Sequence, residues 1–189
     1  MHKYLPKFFI FLDQYNSEIF KKKNINIGII YRNYKDRNRE NQLTKIAKAC
    51  KKNRYKLFIS NDVKLVHKVK ADGIYIPSFN KTKKFFNLEK KNIIILCSAH
   101  NQREIHNKIS QNCSAVFLSP IFKMEKSKKF LGLYKFNYLS HMNKINILAL
   151  GGISENNVRK LKLLYIKGFG GIRIFKKKPA FKKAGFYNF

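Results

Sequence analysis

Two consecutive glycines between an apolar run and a helical segment predict a phosphate site in this sequence. Gly151 and Gly152 directly follow the apolar run 145–150. Glycine allows the backbone to approach a ligand closely, and the N–H groups at a helix start attract anions. Lys176 opens the basic run 176–178 and is expected to contact the same anion. The alternative is that the two glycines only form a tight turn.

Acidic residues are scarce, and one of them stands where a metal ion would be useful. The chain carries 41 Lys and Arg but only 10 Asp and Glu. Asp62 follows the apolar run 55–60, and Mg²⁺ in proteins binds through one or two carboxylates together with substrate phosphates. Asp62 therefore predicts a Mg²⁺ ligand, with N-capping of the helical segment 63–69 as the alternative. Arg32 and Lys35 predict contacts to a second anionic group, unless they are simply solvated surface charges.

The histidines carry less information. His100 follows Ser98 at a helix start, His67 and His106 lie within helical segments, and His141 lies near a helix end. None has a partner visible in the sequence, so structural or exposed roles are favoured. No Ser-His-Asp order, P-loop or metal-binding helix motif is present.

The elements that must position these residues alternate between strand and helix along the whole chain. Eight strands are predicted, at 7–13, 25–32, 55–60, 73–76, 92–98, 115–119, 145–150 and 171–175. Several are continuous apolar runs, which are typical of parallel strands buried on both faces. We therefore expect an α/β fold, a compact (β/α)8 TIM barrel, as a single domain over residues 1–189. An open doubly wound sheet is the alternative.

The helices are predicted from apolar residues at helical spacing. They cover 37–53, 101–111 and 155–167, the last with Ser154 as N-cap and Gly168 just past its end. Short first and last helices are expected near 17–23 and 179–189.

Composition limits the class of protein and of partner. A hydrophobic fraction of 44% excludes a disordered basic tail, and the longest apolar runs are far shorter than the ~20 residues of a membrane span. The start of the chain resembles a strand more than a signal peptide. The three cysteines show no paired spacing, so we predict no disulfide and a reduced, cytoplasmic setting. The net charge of +31 favours phosphorylated metabolites, nucleic acid or anionic lipid as partners, with compositional bias as the alternative.

Four segments resemble the motifs of the thiamine phosphate synthase/TenI family of barrels. They are residues 57–62 with 70–76 (LFISND and KADGIYI), 97–100 (CSAH), 119–122 with Lys128 and Lys129 (SPIF…KK), and 149–153 (ALGGI). They occur in the family's order between residues 25 and 175. Each motif is weakly specific alone, and together they are fairly specific.

The resemblance implies a transferase of thiamine biosynthesis that joins a hydroxymethylpyrimidine diphosphate to a thiazole phosphate and releases pyrophosphate with Mg²⁺. It implies the following roles: Arg32 and Asn61 hold the diphosphate, Asp62 ligates Mg²⁺, Ser98 and Lys128 contact the pyrimidine and the leaving group, and Gly151 and Gly152 bind the thiazole phosphate.

Departures from the family motifs leave two other functions open. The second Asp that ligates the metal falls at Asn80, a strand-four His at Tyr75, and a phosphate-binding Ser at Lys176. A barrel that binds phosphorylated ligands without catalysis is one alternative. RNA is a less favoured ligand of such a barrel, since no RNA-recognition motif is present. A TenI-like thiazole tautomerase is the other, although its acid/base His falls at Pro120, which cannot transfer a proton.

Overall fold

The protein is a closed barrel of eight parallel strands that neighbour one another in chain order. The computed structural model describes residues 4–21, 26–33, 39–85, 87–88, 92–125, 127 and 129–175. This topology confirms the (β/α)8 prediction and excludes the open sheet. The strands are β1 (Phe8–Leu12), β2 (Ile27–Tyr31), β3 (Lys56–Ser60), β4 (Gly73–Ile76), β5 (Ile94–Ala99), β6 (Ala115–Leu118), β7 (Asn146–Ala149) and β8 (Gly168–Gly171).

Few of the connections contain full α-helices. The α-helices within the described ranges are α1 (Arg39–Asn53), α2 (Val63–Lys68), α3 (Gln102–Ile109) and α4 (Gly132–Met142). Short 3₁₀-helices cover Ser17–Phe20, Val158–Leu163 and Arg173–Phe175. The first helix is short, as predicted, while the predicted last helix at 179–189 lies outside the described residues. None of the described helices has the length and apolarity needed to cross a bilayer.

Each of the first three α-helices follows from local sequence. The predicted stripe on α1 buries Leu43, Ile46 and Cys50 against the barrel. Asp62 caps α2 by accepting a hydrogen bond from the Leu65 N–H, and Asn101 caps α3 in the same way. A side-chain oxygen at this position satisfies an N–H group that has no partner inside the helix.

The predictions around the last strand are wrong. The predicted strand at 171–175 lies instead at β8 and begins at Gly168. A Cβ at position 168 would lie 2.1 Å from the Lys7 carbonyl oxygen, so glycine is what lets β8 approach β1. Ser154 does not cap a helix; its N–H donates to Asn157 Oδ1 at 2.8 Å. Because Asn157 also donates to the Gly152 carbonyl, the chain stays in turns and the helix starts only at Val158.

The barrel interior is filled largely by aromatic rings. Phe9 and Phe11 of β1 contact Phe117 of β6 edge-on, with ring centroids 5.1 and 5.5 Å apart. Tyr75 packs against Phe11 at 5.4 Å, nearer the carboxyl ends of the strands. Edge-to-face rings fill a small barrel densely, so the described part of the interior is a packed core. We therefore expect candidate site residues at the carboxyl-terminal rim.

Candidate functional site at the carboxyl ends of the strands

The predicted site residues that the structure describes lie at one end of the barrel. Because all strands are parallel, the segments after their carboxyl ends meet at the same rim. Arg32 follows β2, Asn61 and Asp62 follow β3, and Gly151 and Gly152 follow β7, while Ser98 lies near the end of β5. Lys35, Lys128 and Lys176 lie outside the described residues, so their predicted roles stay predictions.

Arg32 is held at the rim by residues at the carboxyl end of β1. Its Nε donates to Asp13 Oδ1 at 3.2 Å, and its guanidinium lies 5.5 Å from the centre of the Phe11 ring. The backbone N–H of Arg32 donates to the Leu12 carbonyl. The side chain remains 40% exposed at the carboxyl end of β2.

Asp62 makes an ion pair that the sequence does not indicate. Arg39, the first residue of α1, donates through Nη1 to Asp62 Oδ2 at 3.1 Å and through Nη2 to the Ser60 carbonyl at 3.2 Å. The Asp62 Oδ1 atom accepts the Leu65 N–H of α2. The N-cap role is thus confirmed, and both carboxylate oxygens already have partners. One signal was available: a cation at a helix N-terminus opposes the helix dipole and calls for an acidic partner.

Asn61 and Asn80 bridge β3 and β4. Asn61 has φ 56°, in the left-handed region that Asn tolerates. Asn80 donates through Nδ2 to Asn61 Oδ1 at 2.9 Å, and Asn80 Oδ1 accepts the Thr82 N–H at 2.9 Å. The position that would carry the second metal ligand therefore forms a neutral amide link inside the rim.

A buried lysine holds the loop that carries Asn80. Lys108 of α3 is 1% exposed and donates to the Pro77 carbonyl at 2.9 Å and to the Asn80 carbonyl at 2.6 Å. Gln111 adds bonds to the Asn80 and Thr82 carbonyls. Burial lowers the pKa of Lys108 from 10.5 to about 8, and nearby Glu104 partly opposes this change. Sequence reasoning missed this clamp because a lysine on a helix is usually solvated.

His100 joins three rim loops, which the sequence did not reveal. Its Nδ1 lies 2.7 Å from the Ser119 carbonyl oxygen and its Nε2 lies 3.1 Å from Ser78 Oγ. A carbonyl oxygen only accepts, so Nδ1 carries the proton, and in the neutral ring Nε2 accepts from the Ser78 hydroxyl. His100 thereby ties together the segments after β4, β5 and β6.

The two glycines shape the loop after β7. Gly151 has φ +91° and Gly152 has φ +70°, a region that favours glycine. A Cβ on Gly152 would lie 2.5 Å from the Phe122 carbonyl oxygen, and one on Gly151 would lie 2.7 Å from Pro120. The loop after β7 therefore packs directly on the loop after β6, and only glycine fits at both positions.

The described donors do not fit a Mg²⁺ site of the kind expected from the sequence. Mg²⁺ prefers carboxylate oxygens, yet Asp62 is paired with a guanidinium and Asn80 is an amide with both groups engaged. Among the described residues, no group of three or more His, Cys, Asp or Glu side chains could hold a metal ion.

The prediction that no disulfide forms is wrong. Cys97 of β5 is bonded to Cys113, which precedes β6, and Cys50 is the buried free cysteine. The hydrogen bond from the Ser114 N–H to the Ile95 carbonyl holds the two cysteine-bearing segments side by side. Their separation by 16 residues along the chain does not indicate this proximity.

Comparisons with known proteins agree with this barrel. A family model described as "Thiamine monophosphate synthase" matches residues 20–174. Thiamine-phosphate synthases from two strains of Prochlorococcus marinus are 33% and 30% identical over 67% and 65% of this chain. The chain spans only 37% and 36% of the lengths of these two relatives.

A solved structure shares the fold. Thiamine phosphate pyrophosphorylase from Pyrococcus furiosus superposes with a TM-score of 0.76 at 16% identity, over 95% of this chain and 92% of that one. Since the family model covers most of the chain and the barrel agrees with it, the chain belongs to the thiamine monophosphate synthase family.

Proposed function

We propose that this chain is a divergent thiamine phosphate synthase, a transferase that joins a hydroxymethylpyrimidine diphosphate to a thiazole phosphate and releases pyrophosphate. Family membership and one geometric observation support this: the guanidinium of Arg32, the amide of Asn61 and the hydroxyl of Ser98 share a rim with the glycine loop after β7. We also propose that residues 1–189 form one domain.

The thiazole phosphate is assigned to the loop after β7. Gly151 and Gly152 are partly exposed at the rim and hold this loop in a left-handed conformation that favours glycine. In (β/α)8 enzymes, the loops after the seventh and eighth strands commonly bind phosphate. Lys176, which follows β8, is proposed as the added cation.

The diphosphate is assigned to the side of the rim opposite the loop after β7. Arg32 follows β2 with a partly exposed side chain, Asn61 follows the adjacent strand β3, and Lys35 comes three residues after Arg32 in the sequence. Guanidinium and ammonium groups stabilise the charge that develops on a departing pyrophosphate. Ser98, 5% exposed at the end of β5, and Lys128 are proposed to orient the pyrimidine and the leaving group.

The reaction we propose begins with cleavage of the bond between the pyrimidine methylene carbon and the diphosphate oxygen. Pyrophosphate leaves with the electron pair, and the thiazole nitrogen then attacks the resulting methylene cation. No acid or base is needed in these steps, which agrees with Pro120 at the position of the tautomerase His. The rings of Phe11, Tyr75 and Phe117 pack together in the barrel interior, so we propose that water does not reach the reacting carbon from that side.

Synthase activity is tested by incubating purified protein with both substrates and measuring thiamine phosphate by chromatography. Arg32→Gln and Ser98→Ala are expected to lower kcat/KM by at least about tenfold, equivalent to ~1.4 kcal/mol. Arg103→Gln, an exposed arginine on α3, is the matched control and should be unchanged. No turnover from folded wild-type protein that still binds pyrophosphate would instead favour the binding barrel.

A further inference from the structure

We propose that Arg39 occupies the place of the metal ion, so that this chain binds the diphosphate group through guanidinium groups without Mg²⁺. The inference rests on the proposed function, because it concerns the same diphosphate site. It assigns Arg39 as a binding residue for the leaving group.

Arg39 is fixed at the carboxylate to which the resemblance assigned the metal. Its Nη1 donates to Asp62 Oδ2 at 3.1 Å and its Nη2 donates to the Ser60 carbonyl at 3.2 Å. The Tyr31 ring lies beneath the guanidinium, with its centre 6.0 Å from Cζ. The side chains of Arg39 and Asp62 are 19% and 28% exposed, so the pair is only partly buried.

The surroundings of Asp62 favour a guanidinium over a dication. Mg²⁺ at Asp62 would lie directly against the Arg39 cation, since they would share one carboxylate. Asn80, at the second ligand position, brings no negative charge and uses both its amide groups within the rim. The single carboxylate already balances the Arg39 guanidinium, and Asn80 adds no negative charge that could compensate a dication as well.

A guanidinium also suits the ligand. Guanidinium groups form strong charge-assisted hydrogen bonds to phosphate oxygens, and their charge is independent of pH in the working range of enzymes. Arg32 and Arg39 flank the carboxyl end of β2, one directly after the strand and one at the start of α1. We assign these two guanidinium groups to the two phosphates of the diphosphate.

The experiment measures binding of inorganic pyrophosphate to the full chain by titration calorimetry, once in EDTA and once with excess Mg²⁺. We expect the dissociation constant in EDTA to be within about threefold of that in Mg²⁺, after correction for the magnesium–pyrophosphate complex. Binding of Mn²⁺ alone, followed by electron paramagnetic resonance, should be absent at millimolar metal. Both readouts use the wild-type protein, so they do not depend on the folding of a variant.

Variants then test whether the positive charge of Arg39 is the one that binds pyrophosphate. Arg39→Gln should weaken pyrophosphate binding in EDTA by at least tenfold, Arg39→Lys should restore part of it, and Arg103→Gln should have no effect. The double variant Arg39→Gln/Asn80→Asp should bind Mn²⁺ and require metal for pyrophosphate binding. Circular dichroism checks that each variant is folded.

The outcomes separate the two proposals. Pyrophosphate binding that requires Mg²⁺, or that is unchanged in folded Arg39→Gln, overturns the role of Arg39 and leaves the synthase proposal standing. Absence of pyrophosphate binding under both conditions overturns the role of Arg39 and also counts against the synthase. Metal-independent binding together with thiamine phosphate formation in EDTA supports both.

Discussion

Replacing Lys108 with methionine should make the stability difference from wild type depend strongly on pH. Lys108 is buried, and its pKa falls from 10.5 to about 8 on folding. Between these values the unfolded chain binds more protons than the folded one, so wild-type stability rises with pH. The methionine side chain of the variant does not titrate, so the effect appears only in the wild type.

The magnitude follows from the two pKa values. The contribution of Lys108 to the free energy of unfolding rises by roughly 2.5 kcal/mol between pH 7 and pH 10, at ~1.36 kcal/mol for each tenfold change. The substitution also leaves the Pro77 carbonyl without its donor, which costs about 1–3 kcal/mol. At pH 7 the free energy gained by removing the buried Lys108 charge nearly offsets the cost of the hydrogen bonds that the variant loses. At pH 10 the variant should be less stable by about 1–3 kcal/mol.

Urea unfolding followed by far-UV circular dichroism at pH 7, 8, 9 and 10 measures this difference, since the chain has no Trp for fluorescence. Lys64→Met, at an exposed position of α2, is the control and should show a flat difference. A difference between wild type and Lys108→Met that stays constant within about 0.5 kcal/mol would refute the assignment of a buried, perturbed Lys108.

Three further predictions follow from close packing and from the disulfide. Gly73→Ala should destabilise the barrel by more than about 3 kcal/mol, because its Cβ would lie 2.3 Å from the Ile94 carbonyl oxygen. Gly132→Ala has its nearest neighbour at 3.9 Å and is strained only by its φ of +71°, so it should lose only about 1–2 kcal/mol in the same urea assay. Gly152→Ala should weaken inorganic phosphate binding at least about tenfold in calorimetry, since the loop must shift from Phe122; unchanged affinity would place the phosphate elsewhere. Non-reducing peptide mapping should recover Cys97 joined to Cys113, and reduction of this disulfide should lower the free energy of unfolding by about 3 kcal/mol. Cys50 should resist iodoacetamide in the folded state, because burial raises the pKa of its thiol. Two freely alkylated cysteines at positions 97 and 113 would contradict the pairing.

The sequence alone determined the architecture and which of the described candidate site residues share one rim. Continuous apolar runs separated by helical segments are characteristic of buried parallel strands, so the eight strands were predictable, and seven of the eight overlap those observed closely. Polar residues directly after those runs had to meet at one rim, which placed Arg32, Asn61, Asp62 and the glycine pair together. The eighth strand was displaced because its glycine-rich sequence looks like a turn, and only contact with Lys7 shows that glycine is needed there.

Tertiary structure decided which side chains pair. Arg39 with Asp62, Ser78 with His100, Lys108 with the Asn80 carbonyl, and Cys97 with Cys113 are separated by 16 to 28 residues in the chain. Closure of the barrel brings the loops of neighbouring strands within a few ångströms, and the side chains then compete for partners by distance and burial. Asp62 is thereby paired with the Arg39 guanidinium, and neither the spacing nor the type of the residues in the sequence specifies this pairing.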